Sequence, residues 1–178
     1  MEVVSVKDKK FSISIPEEKI LAEVARIGAE ISRDMQGREL VFVCVLNGAF
    51  MFAADLLKNI SVPCEISFIR VASYEGMESS GAVREVIGLT QSLEGKSVVI
   101  VEDIIDSGLT MKYLLEQLRS KGAADLRIAS LLVKYDNLQT PLDIAYSCFS
   151  IPNDFIVGYG LDYSGFGRNL RNIYTVIS

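Results

Sequence analysis

Apolar residues recur at the three- and four-residue spacing of a helix in three parts of the chain. The first pattern begins near Pro16, a residue suited to a helix start, and stops before Gly37, a residue suited to a helix end. The second runs to Leu57, and the third covers residues 111–121 up to Gly122. These patterns predict three amphipathic helices, each with one face packed on a core.

Between the predicted helices lie short, continuous runs of apolar and β-branched residues. Residues 40–45, 97–101 and 126–133 are apolar at nearly every position, and residues 65–71 also have the composition of a strand. Strands that are apolar on both faces are typical of parallel sheets covered by helices on both sides. Their alternation with helices therefore predicts an α/β fold with a doubly wound, mainly parallel sheet.

The last third of the chain has a different pattern. Short strand-like runs occur at residues 144–149, 155–159 and 173–177, and no helical periodicity separates them. We expect this third to form most of a small subdomain packed over an edge of the sheet. Residues 73–83 are polar, contain glycine and lack periodicity, which predicts a mobile loop. Because no repeats or linker-like stretches occur, residues 1–178 are expected to form a single domain.

The overall charge narrows the range of partners. The chain carries a formal net charge of -5 and has a sequence pI of about 4.9, so no general basic field would attract nucleic acid or an anionic membrane. The longest apolar stretch, residues 40–54, is shorter than the roughly 20 residues of a membrane-spanning helix. No apolar segment of a signal peptide follows Met1. We therefore expect a cytoplasmic protein that binds neither nucleic acid nor membranes.

Two residue types limit the chemistry. The absence of histidine excludes Ser-His-Asp triads, Cys-His dyads and histidine-ligated zinc sites. Cys44, Cys64 and Cys148 lie far apart in apolar runs, and we expect buried thiols rather than a metal or redox pair. Any catalysis must then use carboxylates, lysine, arginine and backbone groups.

One segment has the layout of a ligand site in an open α/β sheet, where a strand ends and a loop leads into a helix. After the apolar strand at 97–101, residues 106–110 form a run of small and polar residues at a predicted helix start. Free backbone N–H groups and the helix dipole favour a phosphate there. The run lacks the lysine and spacing of a Walker loop, and the chain has no GxGxxG pattern. A monophosphate is therefore a better candidate than a nucleotide triphosphate or a dinucleotide.

Three carboxylates lie beside this phosphate loop. Glu102, Asp103 and Asp106 would repel a phosphate unless they bound hydroxyl groups or a cation. A ribose and a magnesium ion would satisfy both conditions. In the alternative interpretation, Glu102 and Asp103 only end a strand and Asp106 caps the next helix. Three carboxylates within five positions after a buried strand favour the binding site.

Residues 102–110 resemble the phosphoribosyl pyrophosphate signature of type I phosphoribosyltransferases, and the whole chain is similar to the hypoxanthine-guanine phosphoribosyltransferases. The resemblance implies the type I phosphoribosyltransferase fold with a small hood. It also implies transfer of a 5-phosphoribosyl group to N9 of hypoxanthine or guanine in purine salvage, which gives IMP or GMP and pyrophosphate. Asp106 would be the catalytic residue at N7 of the purine, and Glu102 and Asp103 would hold the ribose hydroxyls and Mg²⁺. The 5-phosphate would be bound by Ser107, Gly108, Leu109 and Thr110.

The same resemblance assigns residues to the base and to pyrophosphate. Lys134 would donate to O6 of the purine, and because an ammonium cannot accept from an amino group, it favours a 6-oxopurine over adenine. The ring of Phe155 would stack on the base, and the backbone of Ile156 would contact its edge, although by pattern alone both are core strand residues. Asp162 would help to hold a second Mg²⁺, and Arg168 would bind pyrophosphate.

Two loops complete the implied site. Leu46, Asn47 and Gly48 resemble the pyrophosphate loop, in which a non-proline cis peptide presents backbone amides. Asn47 stands where many members of the family carry lysine, so a charge from this loop is missing. Ser73 and Tyr74 resemble the start of the flexible loop that closes over the reacting sugar.

Several alternatives remain open from the sequence. A xanthine-preferring, adenine or pyrimidine phosphoribosyltransferase would share the phosphate loop. Lys134 with Phe155 argues for 6-oxopurines, and the relative use of hypoxanthine, guanine and xanthine stays open. A ligand-sensing regulator that binds nucleic acid would have a similar fold, and the acidic chain argues against that function. The expected partners are phosphoribosyl pyrophosphate and a 6-oxopurine. The resemblance also implies a homodimer or homotetramer.

Overall fold

The computed structural model of the chain describes residues 3–73 and 83–178. Within these ranges the chain forms two sheets and three α-helices. In chain order the elements are β1 (Val3–Val6), β2 (Lys9–Ile15), α1 (Glu17–Asp34), β3 (Leu40–Leu46), α2 (Phe50–Lys58), β4 (Cys64–Ser73), β5 (Val83–Ile87), β6 (Ser97–Ile105), α3 (Leu109–Ser120), β7 (Asp125–Val133), a 3₁₀ turn (Tyr135–Asn137), β8 (Tyr146–Ser150), β9 (Ile156–Val157) and β10 (Ile173–Val176).

The larger sheet has six strands in the order β5-β4-β3-β6-β7-β8. Strands β4, β3, β6, β7 and β8 run parallel, and β5 pairs antiparallel with β4 at one edge. Helices α1 and α2 pack on one face of this sheet, and α3 packs on the other. The structure confirms the predicted doubly wound, mainly parallel α/β fold, because the apolar runs at its centre are covered on both sides.

All three helices were expected from their periodicity, and their ends follow local chemistry. Helix α1 begins directly after Pro16, which is in an extended conformation, and it buries Ile20, Val24 and Ile27 on one side. Helix α3 is preceded by Gly108, whose φ is 82°. Because L-residues with a Cβ rarely adopt this conformation, glycine allows the tight turn from β6 into the helix.

The smaller sheet has four strands in the order β1-β2-β10-β9. Its apolar face contains Phe11, Val157 and Tyr174, which are nearly inaccessible. The strands come equally from the two ends of the chain, whereas the sequence pointed mainly to the C-terminal third. The predicted strand at 144–149 does not join this sheet, because β8 pairs with β7 at the edge of the larger one.

One difference from the predicted boundaries affects the site. Strand β6 does not end near residue 101 but continues to Ile105, so Glu102 and Asp103 lie within the strand. Most of the predicted mobile loop at 73–83 lies outside the described residues. Among the helices in the described ranges, none has the length and apolar character needed to cross a membrane.

Candidate active site

A cavity of about 260 Å³ opens where β3 and β6 end and the loop before α3 begins. Its walls include Leu46 from β3, Glu102 and Asp103 from β6, and Asp106 and Gly108 from the loop. The cavity thus lies at the carboxyl ends of parallel strands, where open α/β sheets bind their ligands. Part of the predicted pyrophosphate loop and most of the predicted phosphoribosyl segment share one cavity.

The loop between β6 and α3 is held by its own bonds and by the segment after β7. The backbone N–H of Leu109 donates to the hydroxyl of Ser107 at 3.3 Å, and the N–H of Gln139 donates to the carbonyl of Ser107 at 2.9 Å. A Cβ on Gly108 would lie only 2.8 Å from Leu142. Thr110 follows in the first turn of α3. The N-terminus of α3 therefore faces the cavity on a fixed loop, as phosphate binding requires.

Two adjacent carboxylates from β6 lie in the wall of the cavity. Glu102 is only 7% exposed, and its Oε1 accepts from the backbone N–H of Asp103 at 3.1 Å. Burial, followed by repulsion from Asp103, holds the pKa of the Glu102 carboxyl well above its ordinary value. In the unliganded protein the pair therefore favours a proton on Glu102, and a cation or ribose hydroxyls could take over that stabilisation.

Replacing Glu102 by glutamine is expected to stabilise the unliganded protein, and more so at higher pH. Because folding raises the pKa of the Glu102 carboxyl, its contribution to stability is complete at pH values below the ordinary pKa of glutamate. That contribution is lost as the pH rises through the raised pKa of the folded protein. Glutamine cannot ionise and avoids that loss. Urea unfolding at pH 5 and pH 8 would measure the difference from the unmodified protein, with exposed Glu116→Gln as the control. If the difference in unfolding free energy between the variant and the unmodified protein did not increase from pH 5 to pH 8, the expectation would be contradicted.

A second group of polar side chains surrounds Asp106. Lys134 is only 8% exposed, and its Nζ lies 3.2 Å from Oδ2 of Asp106 and 3.2 Å from Oδ1 of Asn153. Nδ2 of Asn137 donates to Oδ1 of Asp106 at 2.9 Å. The predicted catalytic carboxylate and the predicted base-binding lysine are thus in direct contact. No sequence pattern points to Asn137 or Asn153, because the first ends a 3₁₀ turn and the second lies in a bend.

Phe155 and Ile156 differ in exposure. Phe155 is 45% exposed, with its ring centroid 6.2 Å from that of Phe11 and 5.5 Å from that of Tyr163. An aromatic ring that is exposed and supported from behind can stack on a planar ligand. Ile156 is buried in β9. Of the two, the core interpretation from the sequence fits only Ile156.

The loop after β9 carries Asp162 and Arg168, which contact each other. Nη2 of Arg168 lies 2.8 Å from Oδ1 of Asp162, and its Nη1 donates to the carbonyl of Gly160 at 2.7 Å. The backbone N–H of Gly165 donates to the other carboxylate oxygen of Asp162 at 2.7 Å. The cation expected to hold pyrophosphate and the carboxylate expected to hold a metal ion are therefore fixed in one loop.

This loop touches the predicted pyrophosphate loop. The Leu46–Asn47 peptide is cis, as the resemblance implied. A Cβ on Gly160 would overlap the carbonyl oxygen of Gly48, and a Cβ on Gly48 would overlap the carboxylate of Asp103. Glycine at both positions lets the two loops and β6 pack directly against one another.

Buried Tyr159, next to Gly160 in sequence, connects this loop to helix α2. Its hydroxyl donates to Oδ2 of Asp55 in α2 at 2.5 Å, and its backbone N–H donates to the carbonyl of Leu170 at 2.8 Å. Burial and the bond to Asp55 raise the pKa of the Tyr159 phenol, so it stays a donor at neutral pH. Helix α2 follows the 46–48 loop, and the bond therefore links that loop to the one bearing Asp162.

The donor set suits magnesium. Mg²⁺ in proteins is commonly held by one or two carboxylates, with substrate phosphates and water completing an octahedron. Glu102, Asp103 and Asp162 provide isolated or paired carboxylates of this kind. In the described parts of the chain, no three Asp, Glu, His or Cys side chains converge as a complete protein-made cage. Ser73 ends β4, and Tyr74 lies outside the described residues.

Comparisons with known proteins agree with this geometry. The profile of the phosphoribosyl transferase domain matches residues 15–164. A hypoxanthine-guanine phosphoribosyltransferase of Mycobacterium tuberculosis is 41% identical over 172 residues, which cover 93% of this chain and 85% of that relative.

Two solved structures have the same fold. A hypoxanthine phosphoribosyltransferase from Staphylococcus aureus matches with a TM-score of 0.89 and 39% identity, over 93% of this chain and 91% of that one. The hypoxanthine phosphoribosyltransferase from Trypanosoma cruzi, in complex with the product IMP, matches with a TM-score of 0.88 and 36% identity, over 98% and 97% of the two chains. The chain that folds around this cavity belongs to the hypoxanthine-guanine phosphoribosyltransferases, within the phosphoribosyl transferase family.

Proposed function

We propose that this protein transfers the 5-phosphoribosyl group of phosphoribosyl pyrophosphate to N9 of hypoxanthine or guanine, releasing pyrophosphate and forming IMP or GMP. The observation that carries this proposal is the contact between Asp106 and Lys134 at the edge of the cavity. A carboxylate acceptor beside an ammonium donor matches the N7–H and O6 groups on one edge of a 6-oxopurine. Adenine has an amino group in place of O6 and would offer Lys134 no acceptor at that position.

The sugar phosphate would bind along the loop that joins β6 to α3. Backbone N–H groups at Ser107, Gly108, Leu109 and Thr110 would hold the 5-phosphate. Glu102 and Asp103 would accept from the ribose hydroxyls and share Mg²⁺, which neutralises charge on the pyrophosphate when it is bound. The burial of Glu102 strengthens its interactions, because water screens them little there.

The base would lie between Lys134 and the exposed ring of Phe155. Phe155 would stack on the purine while backbone groups near Ile156 contact its edge. Lys134 would turn from Asp106 and Asn153 towards O6, which is a small motion for a flexible side chain. Stacking of this kind does not distinguish hypoxanthine from guanine, so we expect both to react.

In the reaction, the bond from C1 of ribose to pyrophosphate breaks and the bond from C1 to N9 forms. Positive charge builds on the ribose as pyrophosphate leaves, and the carboxylates of Glu102 and Asp103 stabilise it. Asp106 holds or removes the N7 proton, which keeps the lone pair of N9 available for attack. No covalent intermediate with the protein is required.

Pyrophosphate would be held from two sides. Arg168 would leave its internal bond to Asp162 and pair with the departing phosphates, and Asp162 would then be free to bind a second Mg²⁺. Backbone amides of Leu46, Asn47 and Gly48 would donate to the same group. Because Asn47 carries no charge, this loop contributes directed donors and no additional cation.

Further predictions from the sequence concern the domain organisation, a closing loop, the cellular location and the oligomeric state. Residues 1–178 would act as one phosphoribosyltransferase domain with the smaller sheet as its hood, and a loop beginning at Ser73 and Tyr74 would close over the sugar. The cytoplasmic location and the homodimer or homotetramer stay predictions.

The test is nucleotide formation from phosphoribosyl pyrophosphate with each of four bases. We expect magnesium-dependent turnover of hypoxanthine and guanine, with the turnover of xanthine measured beside them. Adenine turnover should be lower by about 10⁴ or more, as is typical when a site built to hydrogen-bond a substrate group meets an analogue that lacks it. Product would be separated chromatographically, with magnesium removed by chelation as the control. Formation of AMP at a comparable rate, or of no nucleotide from any base, would overturn the assignment.

A further inference from the structure

The carboxylate of Asp106 is held at both of its oxygens by different elements. Lys134 contacts Oδ2 at 3.2 Å, and Nδ2 of Asn137 contacts Oδ1 at 2.9 Å. The Asp106 side chain is 53% exposed, so packing does not fix its rotamer. Its direction therefore depends mainly on these two donors.

The position of Asn137 is itself well defined. It ends the 3₁₀ turn after β7, and its backbone N–H donates to the carbonyl of Lys134 at 3.0 Å. The N–H of Lys134 donates to Ile105 at 2.9 Å, and that of Gln139 donates to Ser107 at 2.9 Å. These bonds tie the turn to the backbone on both sides of Asp106. The side-chain amide of Asn137 is thus held in place by a turn that is hydrogen-bonded to the end of β6 and to the loop after it.

The contacts of Lys134 and Asn137 with Asp106 are expected to change differently when the purine binds. On the proposed function, Lys134 must face O6 of the purine, which weakens or breaks its contact with Asp106. Asn137 has no such second task, and its bond to Oδ1 leaves Oδ2 available on the side that Lys134 vacates. One oxygen of the carboxylate would then be fixed while the other receives the N7 proton.

We propose that Asn137 is a positioning residue for Asp106, which keeps the carboxylate directed at N7 after Lys134 has turned to the base. The inference rests on the proposed function and adds a residue to it. The proposed role of Asn137 is to orient the proton acceptor. Misplacing a reacting group by about 1 Å can lower the rate roughly a hundredfold.

The test begins with Asn137→Ala and the isosteric Asn137→Asp, which lacks the amide donor. We expect Asn137→Ala to lower kcat about tenfold, within the range for misplacement. Asn137→Asp should lose at least as much. The KM for phosphoribosyl pyrophosphate should stay within about twofold, because the phosphate loop does not depend on the Asn137 amide. Gln139→Ala, which removes the same chemical group from an exposed site two residues later, should leave kcat unchanged.

A double-mutant cycle separates positioning from a general structural role. In an Asp106→Ala background, where the partner is absent, Asn137→Ala should cause no further loss of kcat. An equal loss in both backgrounds, or a rise in the KM for phosphoribosyl pyrophosphate that accounts for the whole effect, would overturn the inference. Failure of the proposed function is recognised separately, because the unmodified protein would then form no purine nucleotide.

Discussion

Replacing Asp106 by asparagine is expected to lower kcat for hypoxanthine by roughly 10² to 10⁴, the usual contribution of a positioned acid or base. The asparagine side chain has nearly the same shape, but its amide cannot take the N7 proton at neutral pH. The change also removes the negative charge that Lys134 contacts at 3.2 Å. Because Asp106 is half exposed, folding stability should change little.

The matched control is Asp136→Asn, which removes the same charge from an exposed position in the adjacent 3₁₀ turn. Steady-state rates with both substrates saturating would give kcat, and urea unfolding would give stability. We expect Asp136→Asn to change kcat less than twofold. If Asp106→Asn retained more than about a tenth of the activity, the carboxylate would not be the acceptor and the proposed mechanism would need another base.

The centre of the fold was predictable because its patterns are local. Strands β3, β6 and β7 are covered on both faces, so their sequences are continuously apolar and easily recognised. The end of β6 was not recognised, since Glu102 and Asp103 interrupt the apolar run while the backbone continues to pair with β7. Because these two residues are polar, a prediction from polarity alone ends the strand too early.

The smaller sheet was harder to predict because its partners are distant in sequence. Strand β2 pairs with β10, and Phe11 lies opposite Val176. Residues 3–15 have the composition of strands, but composition does not specify a partner more than 150 positions away. Pairing of this kind is decided by the burial of apolar side chains in three dimensions.

The same distinction applies to the candidate site. The 102–110 segment is contiguous, so its residue types and spacing are visible in the sequence. The contacts of Asn137 with Asp106 and of Tyr159 with Asp55 join residues 31 and 104 positions apart. Neither contact leaves a local pattern. Turns and long-range contacts of this type become apparent only when the sheet has brought its loops to one edge.

Gly160 joins the two loops that are proposed to hold pyrophosphate. Its φ of +100° is unfavourable for residues with a Cβ, and a Cβ there would overlap the carbonyl oxygen of Gly48. Its N–H donates to the carbonyl of Arg168 at 2.9 Å, and its own carbonyl accepts from the Arg168 guanidinium. A shift of Gly160 would therefore move Arg168 and the 46–48 loop together.

Gly160→Ala is accordingly expected to destabilise the fold by about 3 kcal/mol or more, from backbone strain and overpacking combined. We also expect the KM for phosphoribosyl pyrophosphate to rise about tenfold or more, because a displaced loop misplaces its donors. The control is Gly37→Ala, which has φ +72° and open space around its Cβ, and should cost only roughly 1–2 kcal/mol without a change in KM. Urea unfolding and rates normalised to folded protein would measure both effects. Equal destabilisation by the two substitutions, with unchanged KM, would mean that the loops do not depend on their contact at Gly160.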